Sequence, residues 1–431
     1  MVDALFLGAD STTTNVCDGP ARMFGNTPLI MIEDDAALLA AVEQLRSAPV
    51  IGVDTEADSF HSYKEKVCLV QVSDLRTDYI VDPLQVEDMS PLAEIMSDPE
   101  TVKVLHGADY DIVSLKRDFG YQFNNVFDTM ISAQFLGFEK VGLADLIRRF
   151  FGHTIDKKYQ RHDWSKRPLL DEHLDYARGD THWLPAIREL LLIHLNRTGR
   201  LAAVAEECEL VQGREWQGRT NTEADFLRVK GSNALELQQK KVLRAVWEYR
   251  DQRAQSLDRP AFKLIPDPFL LTLAKAQPTD MEALNKMARR GSSMLRRHGE
   301  ALVAAVKTGL DDERELPEPP KPTRGRTPRM GPGVDRYLTA LKDWRNDKVE
   351  RTGLPPVAVA NNTLLKEIAR SAPGDEEALS QVSGIRQWQL VDHGAELLDV
   401  VARVREKAPE KSAPNRERSR RRRSKRSEKA D

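Results

Sequence analysis

Short apolar runs alternate with stretches of helical periodicity in the first half of the chain. The runs occupy residues 29–32, 50–53, 67–72, 79–81 and 102–105. Short apolar runs are typical of buried strands, and their alternation with helices is typical of a layered α/β domain. We therefore predict an α/β domain over residues 28–212. Residues 1–27 are polar and aperiodic, and we expect them to be a disordered leader.

The second half of the chain has helical periodicity without strand-like runs, and it contains an internal repeat. Sliding the sequence against itself by 95 residues aligns two copies without a gap. The aligned pairs include Tyr249 with Trp344, Arg250 with Arg345, Pro260 with Pro355, Leu270 with Leu365, Leu284 with Leu379, His298 with His393 and Gly299 with Gly394. Each copy predicts a small helical bundle, at residues 233–310 and 333–407. The repeated His-Gly step could mark a helix end or a nucleic-acid contact, and we favour a role in helix packing.

The segments around the second copy are rich in proline and in positive charge. Residues 311–332 predict a stiff, extended linker. Residues 408–431 predict a disordered basic tail that includes Arg420, Arg421, Arg422 and Arg423. The whole chain has 64 Lys and Arg against 67 Asp and Glu, yet nine of the basic and three of the acidic residues lie in residues 415–431. The net charge of residues 415–431 is therefore +6, and that of the rest of the chain is −9. This basic tail could hold RNA by sequence-independent phosphate contacts, or it could act as a solubilising or ribosome-binding segment.

Length, cysteine use and hydropathy narrow the class of protein. A chain of 431 residues exceeds one compact core. The three cysteines are far apart and lack metal-ligand spacing, so no disulfide or zinc framework is predicted. No apolar run reaches the roughly 18 residues of a membrane span, and no secretory signal precedes the first domain. We expect a cytoplasmic protein without a membrane partner or a nucleotide cofactor, and a monomer because coiled-coil heptads are lacking.

Two acidic motifs carry the candidate chemistry. Asp54 and Glu56 follow the run at residues 50–53, and strand alternation places their carboxylates on one side. Tyr176 and Asp180 are four residues apart in a helical pattern, which places a phenol beside a carboxylate. Taken singly, the first motif could be a strand-to-loop transition and the second a pair of surface residues. Together they indicate a metal-dependent nuclease.

A third acidic position lies where the run at residues 102–105 passes through His106-Gly107 into a helix. Asp109 and Asp111 both stand near the start of this helix, where the helix dipole alone favours Asp. Residue type therefore leaves the choice between them open.

The order of these motifs resembles the ribonuclease D family, within the tyrosine-bearing subgroup of the DEDD 3′→5′ exonucleases. The resemblance rests on five blocks: Asp54-Thr55-Glu56, His106-Gly107 with Asp111-Ile112, Phe127-Asp128-Thr129, Asp163-Trp164 with Arg167-Pro168-Leu169, and Tyr176 with Asp180. It implies a ribonuclease H-like exonuclease domain, a mixed sheet flanked by helices, followed by two all-α HRDC bundles. It also selects Asp111 over Asp109.

The resemblance implies an active site and a substrate. Asp54, Glu56, Asp111 and Asp180 are the implied metal ligands, with Tyr176 as the fifth catalytic residue. Two divalent ions, Mg²⁺ or Mn²⁺, would activate water and stabilise the leaving oxygen, and carboxylates are the ligands that such ions prefer. The implied reaction removes nucleoside 5′-monophosphates from RNA 3′ ends, with precursors of tRNA and other small structured RNAs as substrates.

Residues beside these motifs have more ordinary interpretations. Asp128 precedes a periodic run and is predicted to be a helix N-cap. His106 is predicted to be structural or to lie behind the metal ligands, with a nucleic-acid contact as the alternative. Basic and aromatic residues alternate over residues 157–167, so Lys158, Arg161, Trp164 and Arg167 could contact phosphate and a stacked base, or form a solvated loop. Pro168 is predicted to open the helix of Tyr176, with Asp171 compensating for Leu170 at the usual cap position.

Two other functions fit parts of the same pattern. A 3′→5′ DNA exonuclease would share the acidic blocks, and only contacts to the ribose 2′-hydroxyl would distinguish it. A non-catalytic RNA-binding protein is disfavoured, because a retired site is free to lose carboxylates and this chain keeps all five residues.

Overall fold

The computed structural model of the chain describes residues 27–217, 222–287, 293–318 and 332–406. The predicted basic tail, including Arg420, Arg421, Arg422 and Arg423, lies outside these ranges, as does the predicted leader up to residue 26. Among the helices of the described ranges, none combines the length and the apolar character that crossing a bilayer requires.

The first domain is built around one mixed sheet of six strands. They are β1 (Leu29–Ile32), β2 (Val50–Ala57), β3 (Val67–Ser73), β4 (Asp78–Val81), β5 (Val102–Leu105) and β6 (Val126–Asp128). Their order is β1-β4-β3-β2-β5-β6, and β3 is antiparallel to both of its neighbours while the other pairs are parallel. The predicted mixed sheet is thus confirmed.

All five predicted strands are present, with two differences. Strand β2 continues through Asp54-Thr55-Glu56 to Ala57, so this motif is part of the strand and not a strand-to-loop transition. Strand β6 was not predicted, because its three residues are too few to produce a hydropathy pattern.

Within the described residues the α/β domain contains eight helices. They are α1 (Asp35–Leu45), α2 (Ser90–Ser97), α3 (Asp109–Phe119), α4 (Thr129–Phe135), α5 (Leu143–Phe151), α6 (Asp171–Gly179), α7 (Leu184–Arg197) and α8 (Leu201–Gln212). The last of these ends where the α/β domain was predicted to end.

The start of α6 differs from the prediction. The helix begins at Asp171, three residues after Pro168, and Asp171 makes no capping hydrogen bond. Instead, Nδ1 of His173 accepts a hydrogen bond from the backbone N–H of Leu170 at 3.2 Å. The histidine thus takes the role that was expected of Asp171.

The first helical bundle follows the α/β domain. It contains two short 3₁₀ turns (Asp225–Arg228 and Ser232–Ala234) and helices α9 (Leu237–Ser256), α10 (Ala261–Leu264), α11 (Asp267–Ala276), α12 (Met281–Met287) and α13 (Ser293–Leu310). Its buried core extends from Phe226 to Val306, and the partly buried Leu316 packs against it. Arg244 on α9 binds Asp312 at 2.6 Å, so the residues just after α13 pack against the bundle and are not part of an extended linker.

The second helical bundle has its own core. Its helices are α14 (Pro332–Thr352), α15 (Asn362–Ser371), α16 (Glu376–Ser380) and α17 (Gln387–Glu406), with a 3₁₀ turn at Pro356–Ala358. Leu341, Leu365, Ile368 and Val401 are among the fully buried residues that form this core. Both predicted bundles are therefore present.

Candidate active site

Strand β2 supplies two of the predicted carboxylates from the middle of the sheet. It pairs with β5 only from Val50 to Gly52, so the part that bears Asp54 and Glu56 extends beyond that partner. On its other side it remains paired with β3, with Asp54 opposite Gln71. Strand alternation sets the two carboxylates on one side of a supported backbone.

Helix α3 supplies the third carboxylate. Asp111 lies in its first turn, is 7% exposed, and accepts a hydrogen bond from Thr55 Oγ1 at 2.5 Å. The competing Asp109 is half exposed and forms an ion pair with Arg214. The structure thus joins Asp111, and not Asp109, to the strand that bears Asp54 and Glu56.

The fourth carboxylate reaches the site through a close approach of two backbones. Asp180 is the C-cap of α6, and a methyl group at Gly52 would stand 2.6 Å from the backbone oxygen of the following Thr181. Only a residue without a side chain lets the end of α6 come so near to β2. Thr181 Oγ1 also hydrogen-bonds Ser73 Oγ of β3 at 2.7 Å, which fixes this approach.

The carboxylates of Asp54, Glu56 and Asp180 form a compact cluster. One oxygen from each lies within 4.8 Å of the others, and within the described ranges these residues form the one such grouping of potential metal ligands. Asp111 lies beside the cluster rather than inside that distance. Four half-buried or buried carboxylates side by side match the oxygen-ligand preference of Mg²⁺ and Mn²⁺, so the residues fit the implied cations.

Burial and mutual repulsion raise the pKa values of these four carboxyl groups. Burial is the first cause in each case, and it raises the pKa of Asp111 to about 6 and that of Asp180 to about 7. The pKa values of Asp54 and Glu56 are also raised well above their ordinary values, by burial and then by the neighbouring carboxylates. A site that disfavours its own negative charge in this way gains stability from bound cations.

Tyr176 lies one helical turn before Asp180. Its pKa is raised, first by burial and then by the charges of Asp180, Glu56 and Asp54, so the phenol stays protonated at neutral pH. Helix α6 itself is tied to the sheet because Arg178 Nε donates to Asp78 Oδ2 at 2.9 Å.

The chain is similar to known proteins in its α/β domain and in both helical bundles. Residues 29–196 match the 3′-5′ exonuclease family, and residues 239–306 and 335–401 match the HRDC domain. Ribonuclease D of Granulibacter bethesdensis is 32% identical over 363 residues, which cover 83% of this chain and 89% of that protein. The chain belongs to the ribonuclease D family.

Two further similar proteins match the chain to different extents. The crystal structure of Escherichia coli RNase D, described as an exoribonuclease involved in structured RNA processing, has a TM-score of 0.64 and 26% sequence identity over 88% of this chain and 99% of that one. Protein RRP6-like 2 of Arabidopsis thaliana is 32% identical over 66% of this chain, which spans 34% of that protein's length. The predicted ribonuclease D resemblance is thus confirmed, and with it the exonuclease and HRDC domains.

Asp128 has the capping role predicted for it. Its carboxylate accepts hydrogen bonds from the N–H groups of Met130 and Ile131 at the start of α4. It also accepts from the N–H groups of Gly107 and Ala108 at the start of α3, at 3.1 and 2.8 Å. One carboxylate therefore holds two helix starts, and the ribonuclease D motif at this position is structural.

The predicted nucleic-acid contacts fall into two groups. Lys158 and Arg161 are exposed, as a phosphate contact requires. Trp164, however, is only 1% exposed, and Arg167 forms a bidentate ion pair with the buried Asp82. Trp164 is therefore part of the domain interior, whereas Arg167 keeps 21% of its side chain exposed but has its guanidinium group paired with Asp82.

His106 also faces inward. Its Nδ1 lies 2.9 Å from Thr129 Oγ1, and burial lowers its pKa, so the ring is neutral at physiological pH. This is the structural role that the sequence favoured.

Sequence reasoning missed Gly52, Thr55 and Thr181. A glycine inside a β-branched strand is a known sign of a close backbone approach, so Gly52 could have been identified. Thr55 and Thr181 could not, because their roles depend on contacts with residues far away in the chain.

Proposed function

We propose that this chain hydrolyses RNA from its 3′ end with two divalent cations, Mg²⁺ or Mn²⁺, and releases nucleoside 5′-monophosphates. The observation that carries the proposal is the compact cluster of Asp54, Glu56 and Asp180 with Asp111 beside it. These four carboxylates would hold the cations. Bound there, the cations would supply an activated water and neutralise charge on the phosphate and the leaving oxygen.

Tyr176 takes part as a neutral phenol in this proposal. A tyrosine whose pKa is raised does not act as a base at neutral pH. Its hydroxyl can orient the attacking water by a hydrogen bond, from a helix position one turn before Asp180. Removing the hydroxyl is therefore expected to slow turnover without weakening metal binding.

Precursors of tRNA and other small structured RNAs are the substrates that we propose. The support is family membership, together with the description of the Escherichia coli relative as an enzyme of structured RNA processing. The exposed Lys158 and Arg161 would contact phosphates near the site. A monomeric state, a cytoplasmic location and RNA binding by Arg420, Arg421, Arg422 and Arg423 stay predictions.

The test uses matched RNA and DNA oligomers labelled at the 5′ end, with free or blocked 3′ ends. The proposal expects the RNA with a free 3′ end to shorten stepwise in Mn²⁺, the blocked RNA to remain intact, and the variant Asp54→Asn to be inactive. Equal or faster loss of the DNA would replace the proposal with a DNA exonuclease. An RNA that is bound but never shortened would replace it with a non-catalytic binding protein.

A further inference from the structure

The orientation of the Tyr176 phenol comes from ring packing. Within the described residues its hydroxyl has no hydrogen-bond partner, whereas its ring is enclosed by two aromatic neighbours. Trp164 stacks on it, with ring centroids 5.9 Å apart and planes 30° apart. Tyr159 approaches edge-on, with centroids 5.8 Å apart and planes 78° apart. Both neighbours lie in the basic segment, residues 157–167, that precedes α6.

Trp164 packs against the sheet as well as against α6, since Ala177 of α6 belongs to the same buried cluster. Its ring packs with Cys68, Leu69 and Ile80 of strands β3 and β4 in a small cluster separate from the main core. Its backbone carbonyl accepts a hydrogen bond from Arg167 Nη1 at 2.8 Å.

Arg167 in turn is fixed by Asp82, the first residue after β4. Its Nη2 donates to Asp82 Oδ1 at 2.6 Å, and the Asp82 carboxylate is fully buried. The sheet, Asp82, Arg167 and Trp164 therefore form a continuous rigid support that reaches the phenol.

From these contacts we infer that Trp164 is a positioning residue, which sets the direction of the Tyr176 hydroxyl toward the cluster of Asp54, Glu56 and Asp180. The inference rests on the proposed role of Tyr176. In this role Trp164 supports a catalytic side chain and does not itself stack on an RNA base. Because small displacements of a reacting group cost large factors in rate, loss of the stacked ring should be visible in turnover.

The expected effects can be ordered. Trp164→Leu removes the stacking surface and should lower the single-turnover rate at saturating RNA by about tenfold. Trp164→Phe keeps an aromatic face and should restore most of that loss. The Michaelis constant for RNA and the Mn²⁺ affinity should be unchanged, since the tryptophan is buried and touches none of the metal ligands in its ring contacts.

A double-mutant cycle with Tyr176→Phe tests the inference directly. If Trp164 acts by orienting the hydroxyl, Trp164→Leu should lose most of its effect once the hydroxyl is absent, because coupled residues are not additive. An equal effect in both backgrounds would overturn the inference. So would a wild-type rate in Tyr176→Phe, or a change confined to the Michaelis constant.

Tyr121→Leu is the matched control. Tyr121 is a fully buried aromatic residue of the same domain whose ring contacts Phe119. Its replacement should reduce stability and leave the single-turnover rate unchanged in either background. If Tyr121→Leu slows the reaction as much as Trp164→Leu, general loosening of the domain explains both, and the inference fails.

An inactive wild-type protein would instead reject the proposed function. If Trp164→Leu does not fold, the same cycle is run with Trp164→Met, which also removes the aromatic face.

Discussion

The two helical bundles share one internal skeleton but differ at equivalent positions near the end of their first long helices. In both, an arginine of the first long helix reaches the start of the next major helix. Arg250 Nη1 donates to the backbone oxygen of Ile265 at 2.9 Å, and Arg345 Nη1 donates to that of Ala360 at 3.2 Å. The second acceptor is Asp267 in one copy and Asn362 in the other.

Further details repeat at the same offset. Gln277 and Ala372 both take a positive φ at a helix end, of 50° and 43°. Asp280 and Asp375 both cap the next helix, each accepting from a backbone N–H at 2.8 Å. Such agreement in non-hydrophobic details indicates that the copies share their packing as well as their hydropathy.

The outer face of α9 carries the main difference. Tyr63, in the loop that follows strand β2, donates its hydroxyl to Asp251 at 2.9 Å, and its backbone N–H donates to Asp258 at 3.0 Å. In the second bundle the equivalent positions are Asn346 and Gly353. The first bundle therefore has two carboxylates for binding the exonuclease domain that the second lacks.

The contact places a residue with a side chain, Asp258, at a strained backbone position. Asp258 has a φ of +45°, where a residue with a side chain is strained, while the equivalent Gly353 has a φ of +70° without strain. The repeated residues thus maintain each bundle, whereas the non-repeated Asp251 and Asp258 join the first bundle to the exonuclease domain.

The largest expected effect comes from the shared arginines. Arg250→Met should destabilise the first bundle by about 2–4 kcal/mol, because it leaves the buried oxygen of Ile265 without a charged donor. Arg345→Met should cost less, about 1–2 kcal/mol, because Arg345 is partly exposed and its hydrogen bond to Ala360 is longer. Hydrogen–deuterium exchange of the full chain, followed separately in the two bundles, measures both. Equal losses, or losses that spread to the other bundle, would contradict the shared but independent skeletons.

A smaller effect is expected at the contact between domains. Tyr63→Phe removes the hydroxyl but keeps the ring, and should weaken this contact by about 1 kcal/mol. Exchange should accelerate in residues 58–66 and in the C-terminal half of α9, and remain unchanged in α14. The control Asn346→Ala should alter none of these. Unchanged exchange in residues 58–66 of Tyr63→Phe would show that the hydrogen bond is unimportant.

The smallest net effect is expected for Asp258→Gly. Glycine relieves the positive φ, worth about 1 kcal/mol, but it also removes the acceptor for the Tyr63 N–H. The two changes should nearly cancel in the stability of the first bundle, while protection of residues 58–66 falls. Asp258→Asn tolerates the same φ and keeps an acceptor, so it should retain that protection. A bundle strongly destabilised by Asp258→Gly would show that Asp258 has a different structural role.

Much of the fold followed from local pattern. The strands of the α/β domain and the paired bundles were predicted because their hydrophobic periodicity extends over enough residues to be recognised. Strand β6 was missed because three residues carry no periodicity, and the end of β2 was missed because the pattern continues there in acidic side chains.

The candidate site was predicted less completely, for a different reason. The five acidic and phenolic residues were found by motif, but the features that bring them together are long-range contacts. Gly52 in a β-branched strand signals that some backbone comes close, but neither its partner Thr181 nor the hydrogen bond from Thr55 to Asp111 is visible in any local pattern. Trp164 was expected at the surface because its neighbours in sequence are basic, whereas contacts with β3 and β4 bury it.

In the proposed function, β2 and the end of α6 together form a site for divalent cations. Calorimetric titration of Mn²⁺ tests it most directly, in the wild type and in Asp54→Asn, Tyr176→Phe and Gly52→Val. We expect the wild type to bind nearly two Mn²⁺ ions in the presence of a 3′-terminal nucleotide, and Tyr176→Phe to bind as many. Asp54→Asn should bind Mn²⁺ much more weakly. Gly52→Val should do the same, because the valine side chain would push Asp180 away. No Mn²⁺ uptake by the folded wild type, or equal uptake by Asp54→Asn, would contradict the claim.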